Sequence, residues 1–219
     1  MSPIPATLAV MLDLVLPRQC GGCGAAATAW CDACAATLAV RADDPHLVSP
    51  RVDSGVPVYS LGRYAGPRRC AVIALKEHGR ADLLRPLAAA LRTGLTQLLT
   101  WGLVDTPLTV VPAPTRRWSA RRRGGDPVTR MARAATADLP GVAVVPALRT
   151  RAFVADSVGL STADRQRNIT GRVKMLRPVA GEVLVVDDIL TTGATAAESV
   201  RVLHAGGARV AAVLVVANA

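Results

Sequence analysis

Residues 183 to 195 confine the fold more than any other stretch. Val183, Leu184, Val185 and Val186 run without a break into Asp187 and Asp188, and the turn Thr191, Thr192, Gly193, Ala194, Thr195 then opens a helical pattern. A branched apolar run of this kind suits a central parallel strand, buried on both faces. The helix that follows is expected to carry Ala197, Val200 and Leu203 inward and to stop at Gly206 and Gly207, since glycine ends helices well. The loop would then lie at the carboxyl end of a parallel strand, where open α/β sheets bind their ligands. Its amides, its threonine hydroxyls and the positive end of the helix dipole suit a phosphate dianion. Gly193 permits positive φ and a close backbone approach. Two carboxylates repel that phosphate, so a different task is needed for them, and accepting hydrogen bonds from vicinal sugar hydroxyls fits two adjacent acceptors. The ligand implied is a sugar phosphate; the plainer reading is a strand, an acidic turn and a helix start that bind nothing.

The rest of the chain has the matching rhythm. VPVYSLGRY at 56–64 and LTVV at 108–111 read as strands, with helices over 68–77, 82–100 and 126–137. AVVPAL at 143–148 is extended, VLVVDD at 183–188 and RVAAVLVVA at 209–217 are strands, and 194–205 is a helix. Strands alternating with helices of ten or more residues predict an α/β fold, a parallel sheet flanked by helices. Residues 4–16 read as a short apolar helix, and Pro45, Pro50 and Gly55 mark 35–55 as turn-rich. The division expected is 1–50 for the helix and a cysteine module, and 51–219 for the sheet domain.

That module holds Cys20, Cys23, Cys31 and Cys34, two CxxC pairs seven residues apart. Four thiolates at this spacing suit a closed tetrahedral zinc site of structural type; redox chemistry and an iron-sulfur cluster are the competing readings. Gly21, Gly22 and Gly24 allow the tight knuckle, and so small a module should fold only with its metal. Cys70, in an apolar helix, reads as a small core residue.

Composition limits the partners. Of 219 residues, 51% are hydrophobic and 19% charged, which excludes a disordered or collagen-like chain. Asp13 interrupts the N-terminal apolar run, while Arg209 and Asn218 bracket the last, so no transmembrane span is expected. No basic region precedes the N-terminal apolar residues, so a cytoplasmic location is expected. Twenty-six Lys+Arg against 16 Asp+Glu give a net charge of +10, which favours an anionic partner. Aromatics are only 3%, too few for a base-stacking surface, so contact with single-stranded DNA would be mainly electrostatic. Arg116, Arg117, Arg121, Arg122 and Arg123 suit either a pyrophosphate or a DNA backbone. Lys76 reads as a ligand contact or as an exposed helix lysine, and His78 and His204 as structural. No general base stands out.

VLVVDDILTTGAT resembles the phosphoribosyl-pyrophosphate (PRPP) signature of type I phosphoribosyltransferases. The resemblance implies that Asp187 and Asp188 contact the ribose hydroxyls and that Thr191, Thr192, Gly193, Ala194 and Thr195 wrap the 5-phosphate of Mg-bound PRPP. A Walker A loop is excluded because no lysine follows the loop glycine. YSLGRYAGPRRCAVIALKEHG, VVPAPTRRWSARRRGGD and LRTRAFVADSVGLSTADRQRNITG are similar to segments of the ComF family of competence and DNA-uptake proteins, which join a four-cysteine zinc finger to a phosphoribosyltransferase-like domain. Lys76 takes the place of the family's lysine; Leu160, Arg165 and Asn168 match its arginine-rich flexible loop. The family resemblance also turns Arg123 toward the ligand. Gly125, Asp126 and Pro127 depart from the family's Phe, Asn and Gln, and Ser157 from its glutamine. Thr191 stands where hypoxanthine-guanine salvage enzymes carry an aspartate, which disfavours purine salvage. Three functions follow as expectations: a phosphoribosyltransferase acting on PRPP, a non-catalytic single-stranded-DNA-binding zinc-finger protein with PRPP as regulator or vestigial ligand, or a PRPP sensor. Partners in the DNA-uptake machinery are implied by the resemblance alone.

Overall fold

The computed structural model describes residues 19–114, 125–150 and 171–219. The helix expected at 4–16, Arg116, Arg117, Arg121, Arg122, Arg123 and Arg165 lie outside the described residues.

After helix α1 (Asp32–Leu38) come strands β1 (His46–Val48) and β2 (Val58–Ser60), then helix α2 (Gly66–Glu77). A 3-10 turn at Ala81–Leu83 leads into helix α3 (Leu84–Thr100), strand β3 (Leu108–Pro112), helix α4 (Pro127–Thr136) and strand β4 (Val142–Val144). Strands β5 (Leu148–Thr150), β6 (Val173–Met175) and β7 (Glu182–Leu190), helix α5 (Ala194–Ala205) and strand β8 (Arg209–Asn218) complete the order. Six strands form one sheet in the order β1-β2-β8-β7-β3-β4, and β5 pairs with β6 as a separate two-stranded ribbon. Every neighbouring pair in the large sheet is parallel except β1 with β2. The α/β fold and its helix-flanked, mainly parallel sheet are as the sequence predicts.

The central strands β7 and β8 bury both faces, as their unbroken Val/Leu content requires. Leu184, Val186, Leu214 and Val216 point into a core shared with α2, α3 and α4. Val183, Val185, Val213 and Val215 point the other way, toward α5 and the ribbon. Alternation along the strands thus divides one apolar run between two cores.

Three details depart from expectation. The strand expected to end at the acid pair continues to Leu190, because β8 keeps supplying ladder partners: Asp187 pairs with Val215, Ile189 with Ala217 and Leu190 with Asn218. Helix α5 turns Ala196 rather than Ala197 into the core beside Val200 and Leu203; Ala197 lines a groove instead. The turn-rich passage 35–55 contains β1, a three-residue edge strand too short to show alternation in sequence.

Candidate functional site

Strand β7 places the acid pair. Its pairing with β3 ends at Val186 opposite Pro112, one residue before Asp187. The chain leaves β3 toward α4, which packs in the first core, whereas it leaves β7 toward α5, in the second. Neighbouring strands whose following helices go to opposite faces leave a crevice at their carboxyl ends, the switch point where α/β sheets bind ligands. Asp187 and Asp188 follow directly on the last β3–β7 pair, at this end of the sheet.

Adjacent residues of an extended strand project to opposite faces. Asp188, which follows Leu184 and Val186 on one face, is buried and meets Lys76 from α2: both carboxylate oxygens lie 2.7 Å from Nζ. Burial alone would lower the lysine's pKa, but the combined attraction of Asp188, Asp187 and Tyr64 raises it, so Lys76 stays charged. Asp187 faces the other way, and its Oδ1 accepts the Asp188 N–H at 2.8 Å. Poor hydration, then the neighbouring Asp188 charge, push the Asp187 carboxyl well above its ordinary value despite the pull of Lys76. One lysine therefore serves two carboxylates. Asp188 receives the pairing and Asp187 is left holding its proton more tightly.

Beyond Leu190 the turn presents Thr191 exposed and Thr192 and Thr195 half-buried, with Gly193 and Ala194 buried. Gly193 caps α5 with φ +86°, the left-handed backbone that glycine adopts without strain. The Thr192 hydroxyl accepts the Ala194 N–H at 3.4 Å, and the Gly193 carbonyl accepts the Ala197 N–H at 2.9 Å. The first amides of α5 have no intrahelical partner and concentrate positive potential here. Lys76, Asp187, Asp188 and residues 191–195 are thereby gathered at one end of the sheet.

The four cysteines form a separate cluster, with all four sulfurs within 4.8 Å of one another. The Cys20–Cys31 and Cys23–Cys31 sulfur pairs are 3.7 and 3.6 Å apart. Four sulfurs each about 2.3 Å from one zinc ion would stand roughly 3.8 Å apart, so the spacing fits a tetrahedral four-thiolate site. Burial alone would raise the Cys20 thiol, but donation from the amides of Cys23, Cys31 and Gly22 outweighs it and brings the group to about 6. Cys20 is thus prepared as a thiolate ligand. Burial, and then its thiol neighbours, push Cys34 the other way, which a cation at the centre would reverse. A Cβ on Gly22 would lie 2.5 Å from the Cys34 sulfur, so only glycine lets the knuckle close. The module leans on the sheet domain: Leu83 fills the space beside Gly21, and Arg80 donates to the carbonyls of Gln19 and Ala29.

Cys70 is half-buried rather than a full core residue, and His78 and His204 are exposed at helix ends. Sequence reading missed Glu198. This buried carboxylate on α5 accepts the Gly171 N–H at 2.7 Å and a two-pronged contact from Arg201, which together with the amide holds its pKa below the ordinary value. Its i,i+3 spacing from Arg201 was a legible signal, but the link to Gly171 was not.

By fold and site the chain is an α/β protein with a mainly parallel six-stranded sheet, an acid pair and Thr/Gly turn at a switch point, and an N-terminal four-cysteine cluster. No model of a known protein family matches the chain, and no curated protein matches it at a significant level.

Proposed function

We propose that this is a ComF-like phosphoribosyltransferase-domain protein that binds PRPP as its magnesium complex and uses it as a phosphoribosyl donor. The observation that carries the reading is the position of VLVVDDILTTGAT: acid pair and Thr/Gly turn both lie where β7 runs past the end of β3, at the switch point. In this reading residues 191–195 hold the 5-phosphate, Asp187 and Asp188 accept from the ribose hydroxyls, and the Lys76 ammonium fixes the position of the Asp188 carboxylate. In transfer, the bond from the sugar's anomeric carbon to oxygen breaks and pyrophosphate leaves with the electron pair. An acceptor N–H or O–H forms the new bond and releases its proton. The protein's part is to hold the donor, keep out water and stabilise the leaving charge.

The test is calorimetric titration of the zinc-loaded protein with Mg-PRPP, beside the Asp187→Asn, Asp188→Asn double variant. Saturable binding that the double variant loses is expected. Absence of binding by the folded wild type would sink the reading.

One observation favours the alternative, a single-stranded-DNA-binding protein. On the β5–β6 ribbon Arg149 stands directly opposite Lys174, a like-charge pair that destabilises a ribbon with no anion near it. The Arg149 Nε is buried and has no hydrogen-bond partner among the described residues. Binding to an oligonucleotide that weakens steeply with salt would support this reading, and salt-independent binding or none would remove it.

A further inference from the structure

The connection between β1 and β2 crosses the turn that opens α5. The Val52 N–H donates to the Thr192 carbonyl at 2.8 Å. A Cβ on residue 193 would lie 2.5 Å from Pro50 Cβ and 2.7 Å from the Val52 carbonyl oxygen, so the strap rests directly on Gly193. Farther along it parts from the helix: Asp53, Ser54 and Gly55 face Ala197, Arg201 and His204 across a groove of about 500 Å³. Around position 193 the contact of strap with α5 is thus made at the turn.

The peptide unit between Thr192 and Gly193 is planar and trans, so its C=O and N–H point in opposite directions. The bond that holds the Thr192 carbonyl against the strap turns the Gly193 N–H away from it. The next carbonyl, of Gly193, is taken by the Ala197 N–H of α5. Both carbonyls at this corner, either of which would repel a phosphate, are therefore engaged on the protein side. We infer that the strap Pro50–Val52 is a positioning element for the phosphate loop, its Val52 N–H orienting the Gly193 amide as a phosphate donor. The inference rests on the PRPP reading above.

The experiment uses the full zinc-loaded chain and three probes: Mg-PRPP, ribose 5-phosphate, which carries the 5-phosphate alone, and Mg-pyrophosphate, which lacks it. Val52→Pro removes the N–H, whereas Val52→Ala keeps it; Val52 is an exposed residue, 38% accessible, so truncating its side chain disturbs little packing. Val52→Pro is expected to weaken ribose 5-phosphate and PRPP roughly fivefold to tenfold, the worth of one backbone hydrogen bond. Pyrophosphate binding should be unchanged, and Val52→Ala should match wild type. If Val52→Pro melts below assay temperature, Pro50→Gly, which keeps the N–H but removes the ring packed on Gly193, should still weaken ribose 5-phosphate several-fold. Wild-type affinity for ribose 5-phosphate in the folded Val52→Pro protein, or in Pro50→Gly where that proline variant does not fold, would overturn the inference. So would a loss shared equally by pyrophosphate. A wild type that binds neither PRPP nor ribose 5-phosphate would instead overturn the PRPP reading itself, and the strap's role with it.

Discussion

At the residue scale the unequal treatment of two neighbouring aspartates is the point with most consequence. Asp188 has Lys76; Asp187 has poor hydration and a like charge beside it. A carboxyl whose folded-state pKa is raised binds more protons folded than unfolded, so keeping it ionised costs stability as pH climbs from its ordinary value near 3.8 through the raised one. Asp187→Asn removes that cost. It should raise Tm near pH 7 by roughly 2–4 °C for a chain of this size, with the gain shrinking toward pH 4, as calorimetric scans across pH would record. A gain that does not vary with pH, or a loss, would contradict the assignment. Under the PRPP reading the same variant should also lose affinity for that ligand, the pattern expected where a site is built at a cost in stability. The aspartates and their spacing were legible in the sequence, but the partner of Asp188 was not, because Lys76 lies 112 positions away and only the sheet brings α2 over β7.

At the scale of elements, helices and strands followed local pattern closely, since apolar periodicity and terminal glycines act within a few residues. The short strands β1, β5 and β6 carried too few residues to show a period, and their place is decided by partners far away in the chain. Helix α3 shows how packing overrules propensity. Gly94 is buried mid-helix, where alanine would ordinarily contribute about 0.8–1.0 kcal/mol. Its Cβ, however, would fall 2.3 Å from Leu61 Cδ2, and Leu61 is itself fully enclosed. Overpacking of this kind costs about 1–3 kcal/mol. Gly94→Ala is therefore expected to destabilise the protein by about 1 kcal/mol in urea unfolding; a midpoint shift to higher urea would show that Leu61 has room to move.

At the scale of the whole molecule, the cysteine module and the sheet domain are joined by side chains from both. Leu38 of α1 enters the core under α2 and α3, Arg80 holds two carbonyls of the knuckle, and Leu83 fills the hollow beside Gly21. The purified protein is expected to carry one zinc per chain. Its removal by a chelator should strip hydrogen-exchange protection from residues 19–38 and lower Tm, while β7 and β8 stay protected. Retained protection at 19–38 without metal would argue against a structural zinc. The described residues contain no helix long and apolar enough to cross a membrane. By itself the sequence determined what depends on neighbours along the chain: the α/β class, the cysteine spacing, and the strand–acid–turn–helix unit with glycine at its corner. Tertiary structure alone decided the strand order that makes a switch point of β7 and β3, the lysine that meets Asp188 and the strap that rests on Gly193. These are contacts between distant segments, and no local pattern encodes which of the compatible partners the folded chain brings together.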